Sequence, residues 1–267
     1  MTHSSIITKM PTIRRNLRSG VLRWTFPFIF AVLWQLAVDW GYLDRQFFPA
    51  PISLAKAAWG DISSGKLAVD SIASLGRVIA GLTIGVVIGA IFGLSMAVWR
   101  PVDTMFGVSV QILRSIPPIA WIGFSIIWFG IGSRPAIFLI SLGVVFPMLI
   151  SAYQGVRQVD LIYVRAARNL GAGNWMFFKE IILPAALPSV LTGLRVSVGL
   201  AWILMVVGEL VAVSNGIGAT LIRAQDYNQV DRMLAYMLVI GFYGYLSDIG
   251  VANFTHYLLR WQRRVED

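Results

Sequence analysis

Six long apolar blocks dominate this chain, and they decide what it can become. They run Trp24–Tyr42, Ile72–Trp99, Met105–Gly130, Arg134–Tyr153, Leu187–Val213 and Met233–Leu258. A hydrocarbon core about 30 Å thick is crossed by roughly 20 helical residues. Only helices and closed barrels satisfy the backbone in lipid, and these blocks are too long and continuous for barrel strands. The expected class is therefore an all-α integral membrane protein of about six transmembrane helices. Composition agrees: of 267 residues, 57% are hydrophobic and 13% are charged, against about 25% charged in soluble domains.

The residue inventory removes several kinds of chemistry. There is no cysteine, hence no disulfide and no thiolate metal site. The two histidines, His3 and His256, stand near opposite ends of the chain, which leaves little for metal or imidazole acid–base catalysis. No metal site and no catalytic residue is expected. The net charge of +9 does not point to nucleic acid, because the basic residues lie between and beside the apolar blocks, where topology explains them. With the N-terminus in the cytoplasm, the inner segments hold Lys9, Arg14, Arg15, Arg18, Arg23, Arg100, Arg157, Arg165, Arg168, Lys179, Arg260, Arg263 and Arg264. The outer segments hold Arg45, Lys56, Lys66, Arg134, Arg223 and Arg232. This bias of about two to one places both termini inside. The first block has a basic flank but no clear small-residue cleavage site, so it reads as a retained span rather than a removable signal.

The expected organisation is a cytoplasmic segment over 1–23, one membrane domain over 24–260 and a cytoplasmic tail over 261–267. Two connections are long. Leu43–Ser71 would lie outside and carries Pro49-Ala50-Pro51. Gln154–Pro184 would lie inside, is too polar to span, and contains helical runs. Leu170, Trp175, Phe177, Phe178 and Ile181 are apolar residues in that loop, and exposed apolar surface marks an interaction site. The bland alternative is a helix lying on lipid headgroups. Ala166 and Ala167 give a small helix face, Gly171 suits a helix end, and Pro184 and Pro188 punctuate the start of the fifth span.

Within the spans, Gly81, Gly85, Gly89 and Gly93 recur every four residues and so share one helix face, where close backbone approach lets helices associate in lipid. Arg114 precedes Pro117-Pro118, a pair that interrupts the helical hydrogen-bond ladder. An arginine inside a span faces protein or water, so this segment reads as lining the inner end of a pathway, unless Arg114 snorkels to the interface. Arg195 sits beside a small-residue stripe of Gly193, Ser197 and Ala201. Glu209, about four turns further on, either faces the pathway or pairs with a neighbouring helix. Arg114, Pro117, Pro118, Arg195 and Glu209 are the candidate pathway and gate residues. Arg77 and Asp248 are further intramembrane charges, and a pair between them is geometrically open.

Arg165-Ala166-Ala167-Arg168-Asn169-Leu170-Gly171, nine residues and then Ile181-Ile182-Leu183-Pro184 resembles the EAA loop of permease subunits of binding-protein-dependent ABC importers. The name-giving Glu is Arg165 here, which removes any salt bridge that Glu makes. The resemblance runs from about Trp34 to Arg260 and includes Phe47-Phe48-Pro49-Ala50-Pro51, Leu113 to Trp121, Ile127 to Gly132 and Gly193-Leu194-Arg195. It points to the branch serving nitrate, sulfonates, taurine and bicarbonate. The resemblance implies a type I ABC importer permease fold, with Arg165, Ala166, Ala167, Leu170, Gly171, Ile181, Leu183 and Pro184 coupling to an ATP-binding subunit. It implies a second permease copy, two cytoplasmic ATP-binding subunits carrying ATP and Mg, an extracytoplasmic substrate-binding protein, and a bacterial inner membrane. No cofactor would be bound by this chain, which has no G-x-x-x-x-G-K-[ST] loop to hold phosphate. The substrate would be a small anion such as taurine, another sulfonate or nitrate. An ion-gradient-driven secondary transporter would instead show paired broken helices in corresponding halves. A membrane-embedded enzyme would need a clustered nucleophile, metal site or acid–base pair.

Overall fold

A computed structural model of the protein describes residues 13–171 and 173–260. The expected tail 261–267, with Arg263 and Arg264, and the N-terminal residues up to 12 lie outside the described residues. In chain order the helices are α1 (Ile13–Asp39), α2 (Pro51–Ser63), α3 (Lys66–Val98), α4 (Arg100–Arg114), α5 (Ile122–Phe129), α6 (Ser133–Arg157), α7 (Leu161–Asn169), α8 (Asn174–Phe177), α9 (Leu183–Ala212), α10 (Ile217–Asp226) and α11 (Val230–Leu258). A 3-10 turn over Pro118–Trp121 leads into α5, and a π-turn over Phe178–Ile182 joins α8 to α9.

Lys66–Val98, Ser133–Arg157, Trp175–Ala212 and Val230–Leu258 are long and apolar enough to cross a membrane. Thr25–Asp39 is a shorter apolar helix. The expected third span, Met105–Gly130, is corrected: it is two helical pieces, Arg100–Arg114 and Pro118–Phe129, bent by 88°. The cause is local. Each residue before a proline is pushed out of the helical region, and Pro117, which precedes Pro118, is extended at φ −57°, ψ 134°. Gly130 and Gly132, at φ +72° and +141°, then turn the chain into α6 through backbone conformations that side chains with a Cβ avoid.

The centre is a stack of α3, α6 and α9. α3 and α6 run parallel, because Gly81 meets Ile140, Gly85 meets Val144, Gly89 meets Met148 and Gly93 meets Leu149 in order along both helices. The four-residue glycine stripe is thus the seam against α6. A Cβ at Gly81 or Gly85 would fall 2.6 Å from a Cβ of Ile140 or Val144, which no packing tolerates. α9 runs antiparallel to α6: Gly155 approaches Ala186 and Ser189 at one end, Gly193 approaches Ser151, and Gly208 approaches Ala136 at the other. Val78, Ile140, Val144, Val198, Ala201, Trp202, Leu204 and Met205 fill the space between the three helices. α11 packs on α9 through a stack of Trp202 on Tyr243, and Trp202 Nε1 donates to Ser247 Oγ at 3.1 Å.

This topology sorts the connections to two ends. The loop end carries the α6–α9 connection with α7 and α8. The opposite, distal end carries α2, α10 and the starts of α3, α6 and α11. Gly132 N donates to Ala212 O at 2.8 Å and ties the start of α6 to the end of α9 there.

Candidate functional site: loop, membrane charges and distal network

At the loop end, α7 stops at Asn169 and Gly171 takes φ +78°, a left-handed conformation suited to a helix C-terminus. Of the small-residue face, Ala166 is exposed while Ala167 is buried. Val159, Tyr163, Ala166, Ala167, Leu170, Glu180, Ile181, Pro184 and Ala185 line a groove of about 440 Å³ between α7 and the root of α9. Leu170 is 87% exposed and Trp175 74% exposed. Arg165 is exposed and Leu183 is exposed beside the groove. Large apolar side chains are thus exposed on the connection between α6 and α9.

In the half of the spans nearer the loop end, Arg195 and Asp248 form a bidentate pair, with Nε to Oδ1 at 2.6 Å and Nη2 to Oδ2 at 2.7 Å. Their side chains are 58% and 42% exposed. Arg77 does not meet Asp248. It binds Glu209 through Nη1 at 2.5 Å. The pair left open in the sequence is replaced by two others, because α9 lies between α3 and α11 and supplies a charge to each.

Glu209 is fully buried and Arg77 nearly so, at 0% and 4% exposed. Of the two settings open to Glu209, the structure gives the pairing with a neighbouring helix. Its Oε1 also accepts from Ser74 Oγ at 2.7 Å, and its Oε2 accepts from Gly218 N at 2.9 Å. Arg77 further donates to Ser133 Oγ at 3.0 Å, to Asn215 O at 2.8 Å and to Asn215 Oδ1. Ser74 accepts from Ile217 N, and Asp70 accepts from Gly216 N and from Thr220 Oγ1 at 2.7 Å. Three side chains from α3 and α9 thereby cap the N-terminus of α10, whose first N–H groups have no intrahelical partner. Gly216, at φ +125°, leaves room for the Glu209 carboxylate. Sequence reasoning missed this assembly. The clue available was Asn215-Gly216, a turn signal just after the fifth span.

Arg114 lies exposed at the end of α4, beside Pro117. It lines a cleft of about 580 Å³ between α4 and α6 with Asp103, Gln111, Tyr153 and Gln154. Asp103 accepts from Tyr153 Oη at 3.1 Å and from Arg157 Nη2 at 3.2 Å. The structure does not bring Arg114, Arg195 and Glu209 into one cavity: they occupy a cleft, an open helix face and a packed interior. Among the described residues no cluster of His, Asp or Glu could hold a metal ion.

Residues 85–264 match the family described as "Binding-protein-dependent transport system inner membrane component". The chain is 33% identical to the putative aliphatic sulfonates transport permease protein SsuC of Escherichia coli strain K12, over 90% of this chain and 92% of that one. It is 29% identical to the taurine transport system permease protein TauC of the same strain, over 95% and 98%. Among solved structures, a chain of the inward-facing MetNI methionine ABC transporter matches with a TM-score of 0.64 and 20% identity, covering 74% of this chain and 98% of that one. The fold is that of a type I ABC importer permease.

Proposed function

This chain belongs to the family of binding-protein-dependent transport system inner membrane components, multi-pass permeases of the bacterial inner membrane, and on that premise we propose that it forms the translocation pathway of an ATP-driven importer for a small oxoanion. The observation that carries the reading is the loop between α6 and α9. Leu170 and Trp175 stand open to solvent beside the groove of Ala166, Ile181 and Pro184, and the chain has no phosphate-binding loop of its own. Energy from ATP then has to enter through a contact with another subunit, and this loop is the surface available for it. Arg165, Ala166, Leu170, Gly171, Ile181, Leu183 and Pro184 form that contact, with the buried Ala167 packed beneath it, and ATP and Mg are held by two partner subunits. The loop end faces the cytoplasm, as do both termini, and the distal end meets an extracytoplasmic binding protein.

A second copy of the chain completes the pathway. The Arg195–Asp248 pair supports this. A charge at membrane depth costs about 2.5–3.5 kcal/mol against lipid even on the mildest scales, so an open pair there belongs against water or another protein chain. Arg195 and Arg114, with the break at Pro117-Pro118, line the path of the anion. Aliphatic sulfonates and taurine, the substrates named for the two relatives, are the class to test.

The experiment is reconstitution with ATP-binding subunits and a binding protein, measuring co-purification, ATP hydrolysis and sulfonate uptake. Ala166→Glu puts a charge on an exposed position and so should leave the fold intact. It should release the ATP-binding subunit or uncouple hydrolysis from uptake. Parental values for all three measurements would remove the loop as the coupling element.

A further inference from the structure

The exposed side of α7 is electrically lopsided. An α-helix turns by about 100° per residue, so Arg165 lies about 140° round the helix from Leu170. Ala167, 6% exposed, points inward. Ile162, Ala166 and Asn169 are exposed and hold the middle of the outward side. Tyr163 and Leu170 form one edge, where they line the groove with Glu180. Arg165, also exposed, forms the other edge.

Among the described residues no carboxylate lies within ion-pairing distance of Arg165. Between Asp103 and Glu209 the chain has only two acidic residues, Asp160 and Glu180. Asp160 is committed to the start of α7, where it accepts from Ile162 N at 2.9 Å. Glu180 lines the groove on the opposite edge, and Asp103 is taken by Arg157. A guanidinium that is covered loses its water, and without a carboxylate that burial is strongly unfavourable. Whatever covers this edge therefore brings a negative group. A helix lying in lipid headgroups puts Trp, Phe or Leu on the face it buries. The middle of this face holds Ile162, Ala166 and Asn169 instead, a small residue and an amide among them, which suits close approach of a protein surface.

We propose that Arg165 selects the ATP-binding subunit: the exposed side of α7 fits a cleft on that subunit with a carboxylate facing Arg165 and an apolar wall facing Leu170. The assignment rests on the coupling reading above and deepens it by giving the chemistry of the partner surface. A cleft with a lysine or arginine at that point is repelled, which separates one ATP-binding subunit from another. A carboxylate there steers docking and fixes register, and the unlike edges of α7 allow one orientation.

The test uses the permease in phosphatidylcholine nanodiscs, with its dye-labelled ATP-binding subunit titrated in and association read by fluorescence anisotropy. Arg165→Gln should weaken association about fivefold at low salt, the effect of one charge pair about 4 Å apart in water. Added salt should shrink the difference. Arg165→Glu should weaken association further. In the Arg165→Lys variant a carbodiimide should crosslink the two subunits through an Asp or Glu of the ATP-binding subunit, located by peptide mass spectrometry. Replacing that acid by lysine should restore association with the Arg165→Glu permease. Arg165 is exposed, so each permease variant should keep the parental unfolding temperature. Parental association in Arg165→Glu, absence of the crosslink, or failure of the charge swap to rescue would overturn the proposal. So would a loss seen only in nanodiscs that contain phosphatidylglycerol, which would put a lipid headgroup on Arg165. If Ala166→Glu releases the ATP-binding subunit and Arg165→Glu does not, the coupling loop stands and the selector falls. If neither releases it, both fall.

Discussion

Replacing Glu209 by alanine tests whether the distal network is a structural clamp. The carboxylate accepts from Arg77 Nη1, Ser74 Oγ and Gly218 N, with no exposure to solvent. Removing it leaves the Arg77 guanidinium buried without its counter-charge and the Gly218 N–H without an acceptor. Breaking one side of a buried pair costs about 3–5 kcal/mol, and an orphaned donor adds about 1 kcal/mol or more. For a protein of this size each kcal/mol is worth about 2–4 °C, so the unfolding midpoint should fall by about 10 °C or more. Intrinsic fluorescence in detergent, from ten tryptophans, reads this directly. Glu209→Gln, which keeps one acceptor oxygen but opposes donor to donor at the other, should lose roughly half as much. Arg77→Met combined with Glu209→Leu should recover much of the loss, because an apolar replacement of a buried pair is close to neutral. A Glu209→Ala midpoint within about 2 °C of the parent would refute the clamp, and a change in transport at unchanged stability would return Glu209 to the pathway.

Gly85→Leu should prevent α3 from seating on α6, since even a Cβ there falls 2.6 Å from Val144; parental yield and thermal stability of the purified variant would contradict the seam. Single cysteines at Ser64 and Asn169, at opposite ends of the bundle, should label from opposite sides of intact membrane vesicles with an impermeant reagent. Reaction of both from one side would invalidate the topology.

The sequence was informative where structure follows from neighbours along the chain. Apolar length disclosed the long spans, four-residue spacing disclosed the face shared by Gly81 to Gly93, and Pro117-Pro118 disclosed a break. Its depth was not visible: the 88° bend is set between Arg114 and Pro118, where Pro117 is extended, and a proline pair announces a break without its angle. Partner choice was also hidden. The sequence left open a pair of Arg77 with Asp248 and gave Glu209 no named partner, and only the placement of α9 between α3 and α11 pairs Arg77 with Glu209 and Arg195 with Asp248. α10 was missed because ten residues between two spans look like a loop, and its stability comes from Asp70, Ser74 and Glu209, side chains distant in sequence. In the connecting loop, the fixed offsets identified the segment, but the opposite exposures of Ala166 and Ala167 depend on how α7 rests against the root of α9.

The π-turn at Phe178–Ile182 has a geometric consequence for the long helix it feeds. Trp175 to Ala212 is one continuous helical rod, so the loop surface and the buried carboxylate of Glu209 are mounted on the same shaft. A single residue advances an α-helix by about 100°. The wider turn therefore fixes the angular phase between what the shaft shows at its root and what it shows at its far end. Deleting one residue between Phe178 and Ile182 would relax the turn but rotate Trp175 by about a quarter of a revolution relative to Arg195 and Glu209. The shaft would keep its length and lose its timing.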